Sequence, residues 1–282
     1  MGRGGKLIPA AHADWFARGF GAYNRRLIGK RFCALRVDPA LRGLCAGINN
    51  DPRPLIVVLN HASWWDPLIV LAIGGLLMPA RRGIAPIDAD QLRRFAFFRK
   101  LGLFGIDPDD PASFPAMLAY VNEWFRSTPM PALALTTQGR FTDVREPIRN
   151  RPGAAAVAAR QPEGNVAVLG LAIEYAFWQD QRPEVFVRAA MIPQPAAPTT
   201  AAWHRAIQAG MQANADALAR AVIAREPSAF EALLGAGAAR INPVYDLWLR
   251  LRRRAGPIAA RRTAALPPPA RTPGTTLGAR AR

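Results

Sequence analysis

The chain has 282 residues, half of them hydrophobic, enough for one sizeable α/β core. Two cysteines, Cys33 and Cys45, exclude a disulfide framework or a cysteine-built metal cluster and read as ordinary thiols of a reducing compartment. The net charge of +17 belongs to the two ends: residues 1–36 hold eight Lys or Arg against Asp14 alone, residues 250–282 hold nine Arg and no acid, and the stretch between is close to neutral. Basic ends of this kind suit a polyanion. A nucleic-acid reader would spread its charge over a folded face, so the anionic face of a membrane is the expected partner, and nucleic acid is not.

In chain order, residues 12–30 form the first expected helix. Trp15, Phe16, Phe20, Tyr23 and Leu27 recur at helical spacing, with Arg18, Arg25, Arg26 and Lys30 between them. That is the make-up of an interfacial helix, although the same aromatic stripe would also serve to pack on the protein's own core. Leu55–Leu59 is a short, fully apolar, β-branched run after Pro54, expected to be a buried central strand. It ends at Asn60-His61, and a helix is expected from Pro67 through Leu77. The longest charge-free run here, Pro67 to Ala80, has 14 residues and contains Gly74 and Gly75, whereas about 20 apolar residues are needed to span a bilayer. The segment therefore reads as a buried helix. No apolar leader follows the basic, glycine-rich start, so a cytoplasmic location is expected, on the inner face of the cell membrane.

Further strands are expected around Ile84, at Leu103–Ile106, Ala132–Thr136, Val166–Tyr175 and Val185–Ala190, with helices near 88–100, 111–127 and 153–160 between them. This alternation means an α/β fold, a mostly parallel central sheet flanked by helices. A long Ala-rich helix is expected over 199–225, another over 226–234, and a last amphipathic one from Asn242-Pro243. Residues 256–282, rich in Pro, Ala, Arg and Thr, read as a disordered basic tail. The expected organisation is a membrane-associating segment (1–36), a catalytic domain (37–195), a helical extension (196–255) and the tail (256–282), with amphipathic helices near both ends.

The segment that carries chemistry is Asn60-His61-Ala62-Ser63-Trp64-Trp65-Asp66-Pro67. A His at the carboxyl end of a buried strand sits where open α/β sheets bind ligands. An Asp five residues on, at the mouth of the next helix, can turn back to accept from Nδ1, leaving Nε2 free to take a proton. Asp66-Pro67 is also an ordinary helix start, an N-cap followed by Pro at the first helical position.

The whole string resembles the N-H-x-x-x-x-D block of the glycerolipid acyltransferase family, which includes the lysophosphatidic acid acyltransferases. Gly102-Leu103-Phe104-Gly105-Ile106-Asp107 resembles the family's second block, Thr137-Gln138-Gly139-Arg140 the third, and Val168-Leu169-Gly170-Leu171-Ala172-Ile173 the fourth, preceded by Arg151-Pro152-Gly153-Ala154-Ala155. The four run in the family's order across residues 24–190.

The resemblance implies a fold of the glycerol-3-phosphate acyltransferase type and an O-acyltransferase. His61 would be its general base and Asp66 the orienting partner. Asn60, Ser63, Gln138, Gly139 and Arg140 are the expected substrate-binding residues, Ser63 also being a candidate helix cap. An acyl-CoA or acyl carrier protein would donate the fatty acyl group, and a membrane lipid hydroxyl, most naturally a lysophospholipid or glycerolipid, would accept it. No cofactor and no metal are implied. Two departures stand out: the second block ends at Pro108 where the family has Arg, and in the third block Gln138 replaces Glu and Phe141 falls where an Arg belongs. Those positions hold the acceptor's phosphate in the family. Arg140, Arg145, Arg149 and Arg151 are candidates to replace them. The alternatives are an acceptor without phosphate (a glycolipid, an aminolipid or a glycosylated isoprenoid) and a non-catalytic lipid-binding relative.

Overall fold

The computed structural model describes residues 7–178 and 180–235. The expected helix from Asn242 and the tail at 256–282 lie outside them.

The elements run α1 (Asp14–Arg31), β1 (Ala34–Val37), α2 (Ala40–Asn49), β2 (Leu55–Leu59), α3 (Asp66–Leu77), β3 (Arg82–Asp88), α4 (Ala89–Arg94), a 3-10 helix (Ala96–Leu101) and β4 (Leu103–Ile106). They continue with α5 (Ser113–Ser127), β5 (Pro131–Thr136), α6 (Gly153–Ala158), β6 (Ala167–Ala176), β7 (Glu184–Met191), α7 (Thr200–Ala224), a 3-10 turn (Pro227–Ala229) and β8 (Glu231–Gly235). The strands form one sheet in the order β4-β3-β5-β2-β6-β7-β1-β8. Five of its pairings are parallel; β6 with β7 and β1 with β8 are antiparallel. The chain is thus an α/β protein with a mixed, mostly parallel sheet flanked by helices.

β2 shows why an all-apolar run becomes the centre of such a sheet. Side chains alternate faces along a strand, so burial of all five residues needs a core on each side. Leu55, Val57 and Leu59 join one core with Ile28 of α1, Leu41 and Ile48 of α2, and Ile69 and Ile73 of α3. Ile56 and Val58 join the other, with Met117 and Val121 of α5, the alanines of α6, and Trp203 and Ile207 of α7.

Several expectations need correction. Residues 34–49 contain a strand and a helix that were not anticipated: β1 has only four residues, and the glycines of α2 blur its pattern. The seam placed at 36/37 falls inside β1. The expected helix over 88–100 is broken at Phe95, whose backbone (φ −122°, ψ 59°) leaves the helical region, and it resumes as a 3-10 helix. Gly102 ends that turn at φ 99°, where a Cβ would lie 2.4 Å from the Gly83 carbonyl oxygen. The expected helix over 226–234 is instead a 3-10 turn and the strand β8. Its Glu231-Ala-Leu-Leu-Gly segment pairs with the otherwise open edge of β1, and tertiary pairing of that kind overrides a weak local preference. Among the described residues, no helix is long and apolar enough to cross a membrane.

Asn214 ties α7 to the sheet. Asn214 is buried; its Nδ2 donates to the carbonyls of Gly170 in β6 (3.1 Å) and Arg188 in β7 (3.0 Å), and its Oδ1 accepts from the half-buried Arg188 guanidinium at 2.6 Å. Asn214→Ala should therefore lower stability by about 1–3 kcal/mol, because two carbonyls lose a donor and the Arg188 guanidinium, among the described residues, is left with Asp38 alone. Urea unfolding of the variant measures this, and an unchanged midpoint would show the bonds to be unimportant.

Candidate active site

β2 pairs in parallel with β5 on one side and β6 on the other, so the carboxyl ends of all three strands open on the same edge. The register sets Leu59 beside both Thr136 and Leu171. Residues leaving these ends therefore meet: Asn60-His61 from β2, Thr137-Gln138 from β5, and Ile173 to Tyr175 from the longer β6.

His61 and Asp66 are in contact. Nδ1 of His61 stands 2.9 Å from Oδ2 of Asp66, and the same oxygen accepts the Ser63 amide at 2.9 Å. The other oxygen, Oδ1, accepts the Tyr175 hydroxyl at 2.6 Å. The carboxylate is 0% exposed, while the His61 side chain keeps 16% of its surface open. A buried carboxylate without a nearby cation must be satisfied by donors, and here three converge on it. It also lies in the first turn of the 12-residue α3, where the helix dipole favours negative charge. Since Asp66 accepts at Nδ1, the proton sits there, and Nε2 carries the free lone pair. Among the described residues, nothing hydrogen-bonds to Nε2.

The other expected residues divide into supports and candidates for contact. Asn60 is buried, and both its polar atoms engage the backbone of Ile173: Nδ2 donates to the carbonyl at 2.9 Å and Oδ1 accepts the amide at 2.8 Å. Its side chain locks β2 to β6, with one donor and the carbonyl oxygen both engaged on Ile173. Gln138 is buried as well, its Oε1 accepting the His61 amide at 3.1 Å. Ser63 does not cap α3, whose N-cap is Trp65 without a side-chain cap bond; its Oγ accepts from the Trp65 amide at 3.2 Å in the turn ahead of the helix. Gly139 has φ 67°, and a Cβ there would stand 2.7 Å from Nε of Arg151, so the bare backbone lets that guanidinium lie against the loop. Arg140 is exposed. Among the described residues Arg140, Arg149 and Arg151 have no acid partner, whereas Arg145 is held by Asp143.

Two residues escaped the sequence reading as parts of the site. Phe141, noted only where an Arg was expected, stacks obliquely on the His61 ring with centroids 4.2 Å apart, and the next amide, Thr142, donates to the His61 carbonyl at 2.8 Å. Tyr175 was read only as the end of a strand. Its signal was position: Glu174 and Tyr175 are the first polar side chains after a long apolar run, at the carboxyl end of a strand beside β2. Glu174 is half-buried, and burial pushes its carboxyl pKa up. It lines a cavity of about 20 Å³ with Asn60, Gln138 and Thr142, too small for more than about one water. Among the described residues, no group of three or more His, Cys, Asp or Glu is placed to hold a metal ion.

Fold and site together define an α/β protein with an oriented, half-open histidine at the carboxyl edge of its sheet. Neither any protein-family model nor any curated protein matches this chain.

Burial first, and then the Asp66 charge, push the Tyr175 phenol far above its ordinary value of 10.0. The folded chain thus keeps a proton that the unfolded chain releases above about pH 10, so stability is intact below that pH and falls as pH rises beyond it. Tyr175→Phe should flatten this alkaline loss. At neutral pH it should cost about 1–3 kcal/mol, through the acceptor left bare on Asp66. Urea midpoints at neutral and alkaline pH test both; an unaltered alkaline slope would contradict the assignment.

Proposed function

We propose that the chain is an O-acyltransferase that moves a fatty acyl group from a thioester to a lipid hydroxyl, with His61 as general base. The observation that carries this reading is the 2.9 Å contact between Nδ1 of His61 and Oδ2 of Asp66, with Nε2 unbonded at the open edge of the sheet. The order of the four sequence blocks supplies the reaction class, and the glycerol-3-phosphate acyltransferase type of fold is proposed on the same ground. The donor is an acyl-CoA or acyl carrier protein. No cofactor is needed, because the acceptor itself brings the nucleophile.

In this mechanism the acceptor hydroxyl hydrogen-bonds to Nε2 and gives up its proton as its oxygen attacks the thioester carbonyl carbon. Asp66 stabilises the imidazolium that forms, and Tyr175 and the Ser63 amide keep the carboxylate from turning away. The tetrahedral intermediate collapses with cleavage of the C–S bond, and the imidazolium returns its proton to the leaving thiolate. No acyl-enzyme forms. Buried Asn60 and Gln138 act as supports that fix the strand and the His61 backbone.

The acceptor has two readings. Arg140, Arg149 and Arg151, free of acid partners beside the Gln138 loop, favour a lysophospholipid, whose phosphate a guanidinium would hold. Phe141 against the imidazole favours an acceptor without phosphate next to the reacting hydroxyl. Because such substrates live in a bilayer, we further propose peripheral attachment to the inner face of the cell membrane, through the basic ends of the chain.

His61→Ala should reduce thioester-dependent acylation by roughly 10²–10⁴-fold while the fold persists. The rate is read as release of free thiol with lysophospholipid and phosphate-free acceptors offered in parallel. Undiminished turnover would remove the mechanism, and turnover with only one acceptor class would choose between the two readings. If the folded wild-type chain turns over neither, the non-catalytic relative is the better account.

A further inference from the structure

The break at Phe95 has a consequence for the surface. Sequence periodicity assigns Phe95, Phe97 and Phe98 to one helix, apart from the aromatic stripe of α1. In the fold, the 3-10 helix turns Phe97 onto that stripe, with its ring centroid 6.2 Å from Phe16 and 6.5 Å from Phe20. Phe98 packs against Phe97 at 4.4 Å and Phe95 against Phe98 at 6.1 Å. Lys100 lies over Trp15 and Phe16, 5.4 Å from each ring. Two segments some 70 residues apart in sequence thus build one aromatic face, and it is not covered: Trp15 is 66% exposed, Tyr23 58%, and Phe95 and Phe97 40% each. A contiguous apolar patch rimmed by polar groups marks an interaction surface.

This face is rigid. The chain ahead of α1 is fastened to the 3-10 helix by the Ala11 and Ala13 amides, which donate to the carbonyls of Arg99 (2.9 Å) and Lys100 (3.1 Å), and by Nε of Arg99, which donates to the Pro9 carbonyl at 2.9 Å. On the other side, buried Asn24 of α1 donates to the Leu68 carbonyl of α3 at 2.7 Å. Since α3 carries Asp66 in its first turn, the face is held in a set orientation relative to His61.

Its charge selects the partner. Residues 14–31 and 89–101 contain nine Lys or Arg and two acids, Asp14 and Asp90. Both acids are engaged, Asp14 by Arg82 and Asp90 by Arg93. A second copy would bring the same positive charge, and the chain's own stretch 242–255, with Arg250, Arg252, Arg253 and Arg254, is also basic. We propose that α1 and the 3-10 helix form a single docking face for an anionic lipid bilayer. Phe95 and Phe97 enter below the headgroups, Trp15 and Tyr23 lie at the interface, and the surrounding cations meet lipid phosphates. The proposal deepens the membrane attachment above and is independent of the acyl-transfer chemistry.

The test is co-sedimentation of the full chain with vesicles made of equal parts phosphatidylglycerol and phosphatidylcholine, or of phosphatidylcholine alone. The wild type should bind the mixed vesicles, and the double variant Phe95→Ser/Phe97→Ser should bind them roughly ten-fold or more weakly at an unchanged thermal midpoint. Trp15→Ser, a single exposed change on the other segment, should also weaken binding and keeps the test decisive if the double variant unfolds. Wild-type binding retained in the folded variants would overturn the proposal, as would equal binding to pure phosphatidylcholine. Turnover of a detergent-dispersed acceptor should be the same in variants and wild type, so loss of vesicle binding alone identifies the face. Wild-type chain that binds vesicles but turns over no acceptor would instead count against the enzymatic reading.

Discussion

One buried carboxylate organises the candidate site at the carboxyl edge of the sheet. Asp66 has no accessible surface, and three hydrogen bonds satisfy its oxygens: from the His61 ring, the Ser63 amide and the Tyr175 hydroxyl. Stripping even one donor from such a group costs more than an ordinary hydrogen bond contributes. The arrangement therefore fixes more than a side chain. It ties the loop after β2, the first turn of α3 and the end of β6 into a single unit, and it leaves the imidazole one face and one nitrogen toward solvent.

The sheet supplies the second level of constraint. β2 lies between two parallel neighbours in register, so the side chains after Leu59, Thr136 and Leu171 come out together without any long loop reaching across. Asn60 and Gln138 make this edge stiff by bonding to backbone, Asn60 to Ile173 and Gln138 to His61. Residue types that look like substrate ligands in a motif are here the brackets that hold the histidine. The exposed parts of the site are instead Phe141 on the ring and the arginines around the Gln138-Gly139 turn.

The same fold joins the site to the surface. α1 contributes Ile28 and Asn24 to the interior and keeps Trp15 and Tyr23 outside. The aromatic stripe is thus divided between packed and exposed residues of one helix. Phe16 and Phe20 occupy the middle ground, half-buried against Phe97. A helix that packs through one polar anchor and a few apolar side chains can present a stable surface without belonging wholly to the core.

The amino-acid sequence by itself determined the α/β class, the central position of Leu55–Leu59, the length of α7 and the pairing of His61 with Asp66. Each of these follows from local information: an unbroken apolar run, helical periodicity, and a five-residue spacing across a strand end and helix start. Only the tertiary structure decided that Tyr175 holds the second oxygen of Asp66, that Phe141 covers the imidazole, that residues 231–235 form a strand, and that Phe97 joins α1. These depend on contacts between residues 70 to 200 positions apart. Their partners are chosen by sheet register and by the open edge of β1, which no local pattern encodes.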